Sequence, residues 1–90
     1  MEFDYIIIGA GSAGCVLANH LSSDAGNRVL LIEAGRDTGA LSLKMPAAVL
    51  SNLTSTRHNW AFQGEPEPGL DGRVIQHDRG KTIGGSSSIN

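Results

Sequence analysis

The chain opens with two hydrophobic runs that flank an amphipathic segment. Residues 4–8 end in three isoleucines, a run typical of a strand buried on both faces of a parallel sheet. Hydrophobic residues then recur at helical spacing over residues 12–23, and a second strand-like run covers residues 28–33. Gly26 follows the helical segment, where we expect a positive φ at the C-cap. The pattern predicts a strand, a crossover helix and a parallel strand.

The pattern is weaker after the second run. A short apolar stretch behind Pro46, at residues 45–53, is compatible with a short helix. Residues 64–69 carry two prolines between glycines and predict an extended or turning loop. Residues 73–78 predict a short strand, and residues 84–90 are typical of a turn that opens a helix.

Composition narrows the class of protein. Seven Lys and Arg residues against nine Asp and Glu give a net charge of -2, so no basic surplus is present to hold nucleic acid. The single cysteine, Cys15, cannot form an internal disulfide, and we interpret it as a helix-packing residue. No apolar run approaches the roughly 20 residues of a membrane span. Because the amino terminus also lacks the basic region of a secretory signal, we expect a cytoplasmic protein without a transmembrane segment.

A glycine triplet stands between the first strand and the helix. Gly9, Gly11 and Gly14 form the G-x-G-x-x-G pattern, in which each glycine has its own steric role. The first allows a tight turn, the second lets a pyrophosphate approach the backbone, and the third lets the helix pack on the strand. The free amides near Gly11, Ser12 and Ala13 and the helix dipole favour binding of a diphosphate.

Glu33 adds to this motif. It lies 19 residues after Gly14, at the carboxyl end of the second predicted strand, where a carboxylate accepts hydrogen bonds from ribose hydroxyls. The same charge repels a 2′-phosphate, which disfavours NADP and leaves FAD and NAD equally compatible. The alternative to dinucleotide binding is an ordinary glycine-rich turn. The pattern therefore predicts an α/β, Rossmann-like FAD/NAD(P)-binding domain with an incomplete parallel sheet, in which a β-α-β unit precedes a loop-rich extension.

A second glycine cluster lies near the end of the chain. Residues 79–90 combine two cations, a diglycine and three serines, a composition that suits either the wrapping of a phosphate or a flat ring, or a solvated loop. Trp60 is open to two interpretations, an anchor in the core or a neighbour of the cofactor. The spacing of the histidines, His20, His58 and His77, indicates no metal site.

Several segments together resemble a known family. Residues 4–15, residues 31–35, Asn59-Trp60 with the Glu-Pro that follows, and residues 79–90 are similar to the opening of glucose-methanol-choline (GMC) flavoprotein oxidoreductases, in particular the choline-dehydrogenase-like branch. The matches run in order across nearly all 90 residues. Family members are several times longer, so we expect residues 1–90 to be a partial FAD-binding domain without the substrate domain.

The resemblance implies a cofactor and an activity. The cofactor is FAD, and a hydride passes from the carbinol carbon of a small-molecule alcohol to flavin N5; the electron acceptor is left open. Matching residue by residue puts Ser12 and Ala13 at the pyrophosphate, Glu33 at the ribose and Trp60 beside the cofactor. It puts three further residues at the flavin end, namely Gly84, Gly85 and Asn90. The family's catalytic histidine lies far beyond this segment, so no catalytic residue is expected here and the chain alone should be inactive.

One position departs from the family pattern. Some relatives attach FAD covalently through a histidine that precedes the asparagine of the last motif, and here that position is Ile89. We therefore expect noncovalent FAD. The alternatives are a catalytically silent dinucleotide-binding module and an NAD-dependent dehydrogenase.

Overall fold

A computed structural model describes residues 1–36, 39 and 41–89. Its first three elements are β1 (Tyr5–Ile8), α1 (Ser12–Ser22) and β2 (Val29–Ile32). The two strands are parallel and in register, with Tyr5 opposite Val29 and Ile8 opposite Ile32. The predicted β-α-β unit is confirmed, with bounds that differ from the prediction by one residue at each affected end.

The end of α1 differs from the prediction. Its C-cap is Ser23 in the right-handed helical region, and Gly26 does not adopt a positive φ. Side chains take over the terminal carbonyls instead: the Ser23 hydroxyl donates to the carbonyl of His20 and Asn27 Nδ2 donates to the carbonyl of Leu21. The glycine is therefore not needed as a left-handed cap.

The segment after β2 is helical in three short pieces. They are α2 (Leu41–Lys44), a 3-10 helix at Pro46–Ala48, and α3 (Val49–Thr54). The prediction for residues 45–53 holds for the last two pieces, whereas α2 has no counterpart in the prediction. A four-residue helix spans about one turn, which is too short to leave a periodic signal in the sequence.

The rest of the extension is a hairpin-like pair and a final helix. Strands β3 (Phe62–Gln63) and β4 (Gln76–His77) pair antiparallel, and α4 covers Ser86–Ile89. The predicted strand at residues 73–78 is wrong in length, since only Gln76–His77 is a strand and Arg73 makes an isolated bridge to Glu67. The loop predicted at residues 64–69 ends in a 3-10 turn at Pro68–Leu70.

The fully buried residues lie where the segments after β2 meet the turn between β1 and α1. Ala10, Asn59 and Thr82 are all fully buried, and they belong to three separate parts of the chain. By contrast, β1 does not have the buried faces that its isoleucines predict, because Ile6 is 60% exposed and Ile8 is 85% exposed. The described residues form a two-stranded parallel sheet, which leaves much of β1 uncovered. None of the described helices is both long enough and apolar enough to cross a membrane.

Candidate functional site

The glycine triplet has the conformation that its three steric roles require. Gly9 leaves β1 with φ +96°, a value that side chains disfavour, and its amide donates to the carbonyl of Ile32 at 2.7 Å. A β-carbon at Gly14 would overlap the carbonyl oxygen of Gly9 and lie 3.5 Å from Ile7 Cγ2. Gly9 therefore makes the turn, and Gly14 allows α1 to pack on β1.

Gly11 differs from its two neighbours in the motif. Its φ of -77° suits any residue, and a β-carbon placed on it would meet no atom within 4 Å. Neither the backbone nor internal packing requires glycine at this position. The open space is in front of the first turn of α1, where amides without a helical partner point outward. A ligand that approaches this backbone closely is the remaining physical reason for the glycine.

Glu33 joins the turn to the residues that follow β2. Its Oε2 accepts from the amide of Ala10 at 2.7 Å, and its Oε1 accepts from the amide of Gly35 at 2.8 Å. A carboxylate offers about four acceptor positions, so two stay available after these bonds. The two amides hold the carboxylate at the carboxyl end of β2, in the position predicted for ribose recognition.

The second glycine cluster packs directly against the first. The amide of Gly84 donates to the carbonyl of Ala10 at 2.7 Å, and a β-carbon on Gly85 would lie 3.0 Å from Gly11 Cα. The hydroxyls of Ser12 and Ser87 are 3.3 Å apart. This segment therefore packs on the turn between β1 and α1, whereas the binding of a phosphate or a flat ring by residues 79–90 stays a prediction.

Two further glycines make this packing possible. A β-carbon on Gly35 would overlap the backbone of Lys81, and one on Gly80 would overlap the backbone of Gly85 and Ser86. Nearby, Thr82 Oγ1 donates to the carbonyl of Arg36 at 2.7 Å. Neither Gly35 nor Gly80 belongs to the predicted site residues. The Gly35 contact joins segments far apart in the chain, so no local pattern could have revealed it, whereas the Gly80 contact lies within the second glycine cluster.

A cleft of about 620 Å³ lies between the two glycine-rich segments. Six of the predicted site residues line it: Gly9, Gly11, Ser12, Glu33, Trp60 and Gly85. The other lining residues are Ile8, Ile32, Ala34, Phe62, Arg79, Gly80, Ser86 and Ser87. The turn, the acid at the end of β2 and the late motif thus come together on one cavity.

Three predicted site residues lie beside the cleft rather than on it. Gly14 faces β1, Gly84 is bonded to Ala10, and Ala13 lies on the exposed surface of α1. Asn90 lies outside the described residues. For these four positions, as for the six that line the cleft, contact with a cofactor stays a prediction.

An aromatic pair, Trp60 and Phe62, forms part of the wall of the cleft. Trp60 stacks on Phe62 with ring centroids 5.6 Å apart and planes 6° from parallel, and Lys81 Nζ lies 4.3 Å from the centre of the Trp60 ring. Trp60 is 42% exposed, so it is not the core anchor that was one of its two interpretations. A flat, exposed aromatic surface on a cleft suits stacking against another ring.

These features fit a dinucleotide. The open space before Gly11 suits a diphosphate at the helix amides, Glu33 retains acceptor capacity for sugar hydroxyls, and the half-exposed Trp60 lies on the cleft wall. Among the described residues, no group of three or more His, Cys, Asp and Glu side chains is placed to hold a metal ion. Among the described residues that line the cleft, none is arranged as a nucleophile with a base.

Known proteins are similar to this chain both in sequence and in backbone structure. Residues 7–65 match the family described as NAD(P)-binding Rossmann-like domain. The chain is 56% identical over 89 residues to an alcohol dehydrogenase (acceptor) of Pseudomonas putida and 47% identical over 96 residues to the mitochondrial choline dehydrogenase of Mus musculus. These alignments cover 98% and 99% of the chain, respectively, and 16% of each relative.

Solved structures agree with the sequence relatives. A crystal structure of pyridoxine 4-oxidase from Mesorbium loti superimposes with a TM-score of 0.87 at 40% identity, over 99% of the chain and 17% of that protein. An FAD-dependent oxidoreductase from Chaetomium thermophilum superimposes with a TM-score of 0.81 at 33% identity, over 99% of the chain and 15% of that protein. The chain therefore spans about one sixth of the length of the proteins that it matches.

Proposed function

Because the chain belongs to the family of NAD(P)-binding Rossmann-like domains, we propose that it is the FAD-binding portion of a flavin-dependent oxidoreductase that acts on the CH–OH group of an alcohol. Its relatives confirm the resemblance to the amino-terminal region of GMC oxidoreductases. The observation that carries the proposal is the glycine at position 11, which nothing inside the chain requires and which opens onto a cleft bordered by Glu33 and Trp60.

FAD is preferred to NAD because of the relatives. They are named as choline and alcohol dehydrogenases, an oxidase and an FAD-dependent oxidoreductase. When bound, FAD supplies the hydride acceptor for oxidation of the alcohol. A small-molecule alcohol is therefore the proposed substrate of the whole enzyme, and a cytoplasmic location stays a prediction.

The chain's own residues bind and orient in this proposal. The amides at Ser12 and Ala13 hold the pyrophosphate, the Glu33 carboxylate accepts from the ribose, and Trp60 lies beside the cofactor. Gly84, Gly85 and Asn90 let the backbone approach the flavin end. No residue here is assigned the proton transfer, so FAD binding and not turnover is the property to measure.

The proposal is tested by titrating the 90-residue chain with FAD and recording the visible flavin spectrum. We expect Gly11→Val to abolish binding while leaving the far-UV circular dichroism unchanged, since the valine side chain would enter the open space before α1. Gly11→Ala should have a smaller effect in the same direction. A chain that binds NADH and not FAD would contradict the proposal.

The attachment of FAD is a separate prediction. Ile89 is buried and carries no nucleophile, so the cofactor should be held noncovalently. Acid precipitation of the loaded chain should release the yellow colour to the supernatant. Colour that stays in the pellet would contradict noncovalent attachment but would not contradict the proposed binding site.

A further inference from the structure

The aromatic wall of the cleft lies on an interrupted antiparallel ribbon. Phe62 pairs with His77 in the short sheet, and Asn59 pairs with Gly80 further along. The same register is kept between these pairs, so residues 58–64 and 75–81 form one ribbon. We call this pair of segments the ribbon. Its ladder is interrupted between Asn59 and Phe62, where Ala61 adopts a φ of +46°.

Asn59 fills the interruption with its side chain. Residues that pair in a hydrogen-bonded antiparallel position normally exchange two backbone bonds. Trp60 donates its amide to the carbonyl of Arg79 at 2.9 Å, but the amide of Arg79 donates to Asn59 Oδ1 at 2.9 Å. The same oxygen accepts from the amide of Ala61 at 3.0 Å. The Asn59 oxygen therefore replaces the Trp60 carbonyl as the acceptor for Arg79 and also binds the amide of the residue that follows Trp60.

The nitrogen of the Asn59 side chain connects the ribbon to α3. Asn59 Nδ2 donates to the carbonyl of Leu53 in α3 and to Asp78 Oδ1, both at 2.7 Å. The residue is 0% exposed, and all four of these bonds are made inside the protein. Losing the side chain would remove the hydrogen-bond partner of two part-buried amides and of the Leu53 carbonyl, and one donor to Asp78.

We propose that Asn59 is a positioning residue for FAD, which it influences by fixing Trp60 on the wall of the cleft. The inference rests on the proposed function and adds to it a residue that does not line the cleft. Phe62 and Lys81 contact the Trp60 ring, whereas the Asn59 amide bonds the backbone amides of Ala61, which follows Trp60, and of Arg79, which stands opposite it.

The chain contains a single tryptophan, so its fluorescence reports on Trp60 alone. We expect Asn59→Ala to shift the emission maximum of the cofactor-free chain and to weaken FAD binding by about tenfold. Asn52→Ala is the matched control, because Asn52 is also buried, at 4% exposure, and its side chain donates a bond of 2.9 Å to the carbonyl of Ser42 and not to the ribbon. The control should lower stability yet leave the emission unchanged and FAD affinity within about twofold.

A double-mutant cycle separates positioning from general damage. In a Trp60→Leu background, with binding followed by flavin absorbance, Asn59→Ala should no longer change FAD affinity. An undiminished effect in that background would overturn the proposal, as would Asn59→Ala binding FAD as tightly as the unmodified chain. An unmodified chain that binds no FAD refutes the proposed function instead.

A second variant decides the case if Asn59→Ala does not fold. Asn59→Asp keeps the oxygen for the two amides but puts a carboxylate against Asp78, whereas adding Asp78→Asn restores a donor and an acceptor between the two positions. We expect the single variant to shift the Trp60 emission and weaken FAD binding, and the exchanged pair to recover part of both, because the donor to the Leu53 carbonyl stays lost. An exchanged pair no better than Asn59→Asp alone would overturn the proposal.

Discussion

The β-α-β unit and the loop-rich extension that follows β2 are held in place by different kinds of contact. In the first unit, consecutive hydrophobic positions form β1, α1 and β2, and each element is visible in its own stretch of sequence. In the extension, the longest helix is α3 with six residues and each strand has two. There the chain is held by side chains bonded to backbone and by glycines in backbone contact, as at Asn59 and Gly80.

This difference indicates which mutations should impair the cleft. The first unit supplies the amides and the acid, and the extension supplies the aromatic wall and the second glycine segment. A cleft made by two regions needs both to be in place, so damage to either should appear in FAD binding. Only damage to the first unit should also remove the parallel pair.

The largest expected effect comes from Gly14→Val. Its side chain would overlap the carbonyl of Gly9, a backbone atom that cannot move without breaking the turn. We expect a loss of about 3 kcal/mol or more in the free energy of unfolding, at the upper end of overpacking effects. Urea denaturation followed by circular dichroism measures it. Gly11→Ala is the control in the same turn and should be nearly neutral for stability; equal losses in both variants would show that the contact at Gly14 is not special.

Gly80→Ala tests whether the extension can lose its structure while the β-α-β unit keeps its own. Its β-carbon would overlap the backbone of Gly85 and Ser86, which should displace the second glycine segment and cost about 2 kcal/mol. FAD affinity should fall while the β-α-β unit keeps its protection in amide hydrogen exchange. Gly69→Ala, whose β-carbon would make only ordinary contact at 3.7 Å, is the control and should change the free energy of unfolding by less than about 0.5 kcal/mol. Loss of protection across both regions would disprove their independence.

Glu33→Ala should weaken FAD binding by roughly 1 to 3 kcal/mol, the range for a hydrogen bond to a charged group. The structure adds a second consequence, because the amides of Ala10 and Gly35 lose their acceptor and the cofactor-free chain should also lose stability. Calorimetric titration with FAD and urea denaturation without it measure the two parts. Glu65→Ala, on an exposed loop, serves as control. Unchanged FAD affinity together with lost stability would make Glu33 purely structural.

The smallest expected effect is a pH dependence of the free energy of unfolding, which arises from Asp78 in the ribbon. Hydrogen bonds from Asn59 and then Gln76, with the charges of Arg79 and His77 adding to them, hold the pKa of Asp78 below its ordinary value of 3.8. A lowered pKa in the folded state stabilises the protein above 3.8, and this contribution is lost as the pH falls through the lowered pKa.

The variant Asp78→Asn checks this sign. Unfolding measured between about pH 5 and pH 3 should show a smaller loss of stability on acidification in the variant than in the unmodified chain. Asp71→Asn, an exposed acid in the same extension, should leave the slope unchanged. Equal slopes for the Asp78 variant and the unmodified chain would show that Asp78 is not held in its charged form by the ribbon.

Prediction from sequence succeeded where the responsible contacts are local. The strand, turn and helix around Gly9 and Gly14 follow from hydrophobic spacing and from steric rules that act within about ten residues. It failed at Gly26, because Ser23 and Asn27 cap the helix with side chains instead. It also missed β3, since two paired residues carry no periodic signal and their partner lies in a separate segment.

The amino-acid order alone determined the β-α-β unit, the roles of Gly9 and Gly14, and the acid at the end of β2, because each depends on chain neighbours. Only the tertiary structure decided that Gly85 approaches Gly11, that Trp60 lies on a cleft wall and that Asn59 replaces a ladder acceptor. These contacts join residues far apart in the chain, and their energy depends on distances that no pattern along one segment encodes.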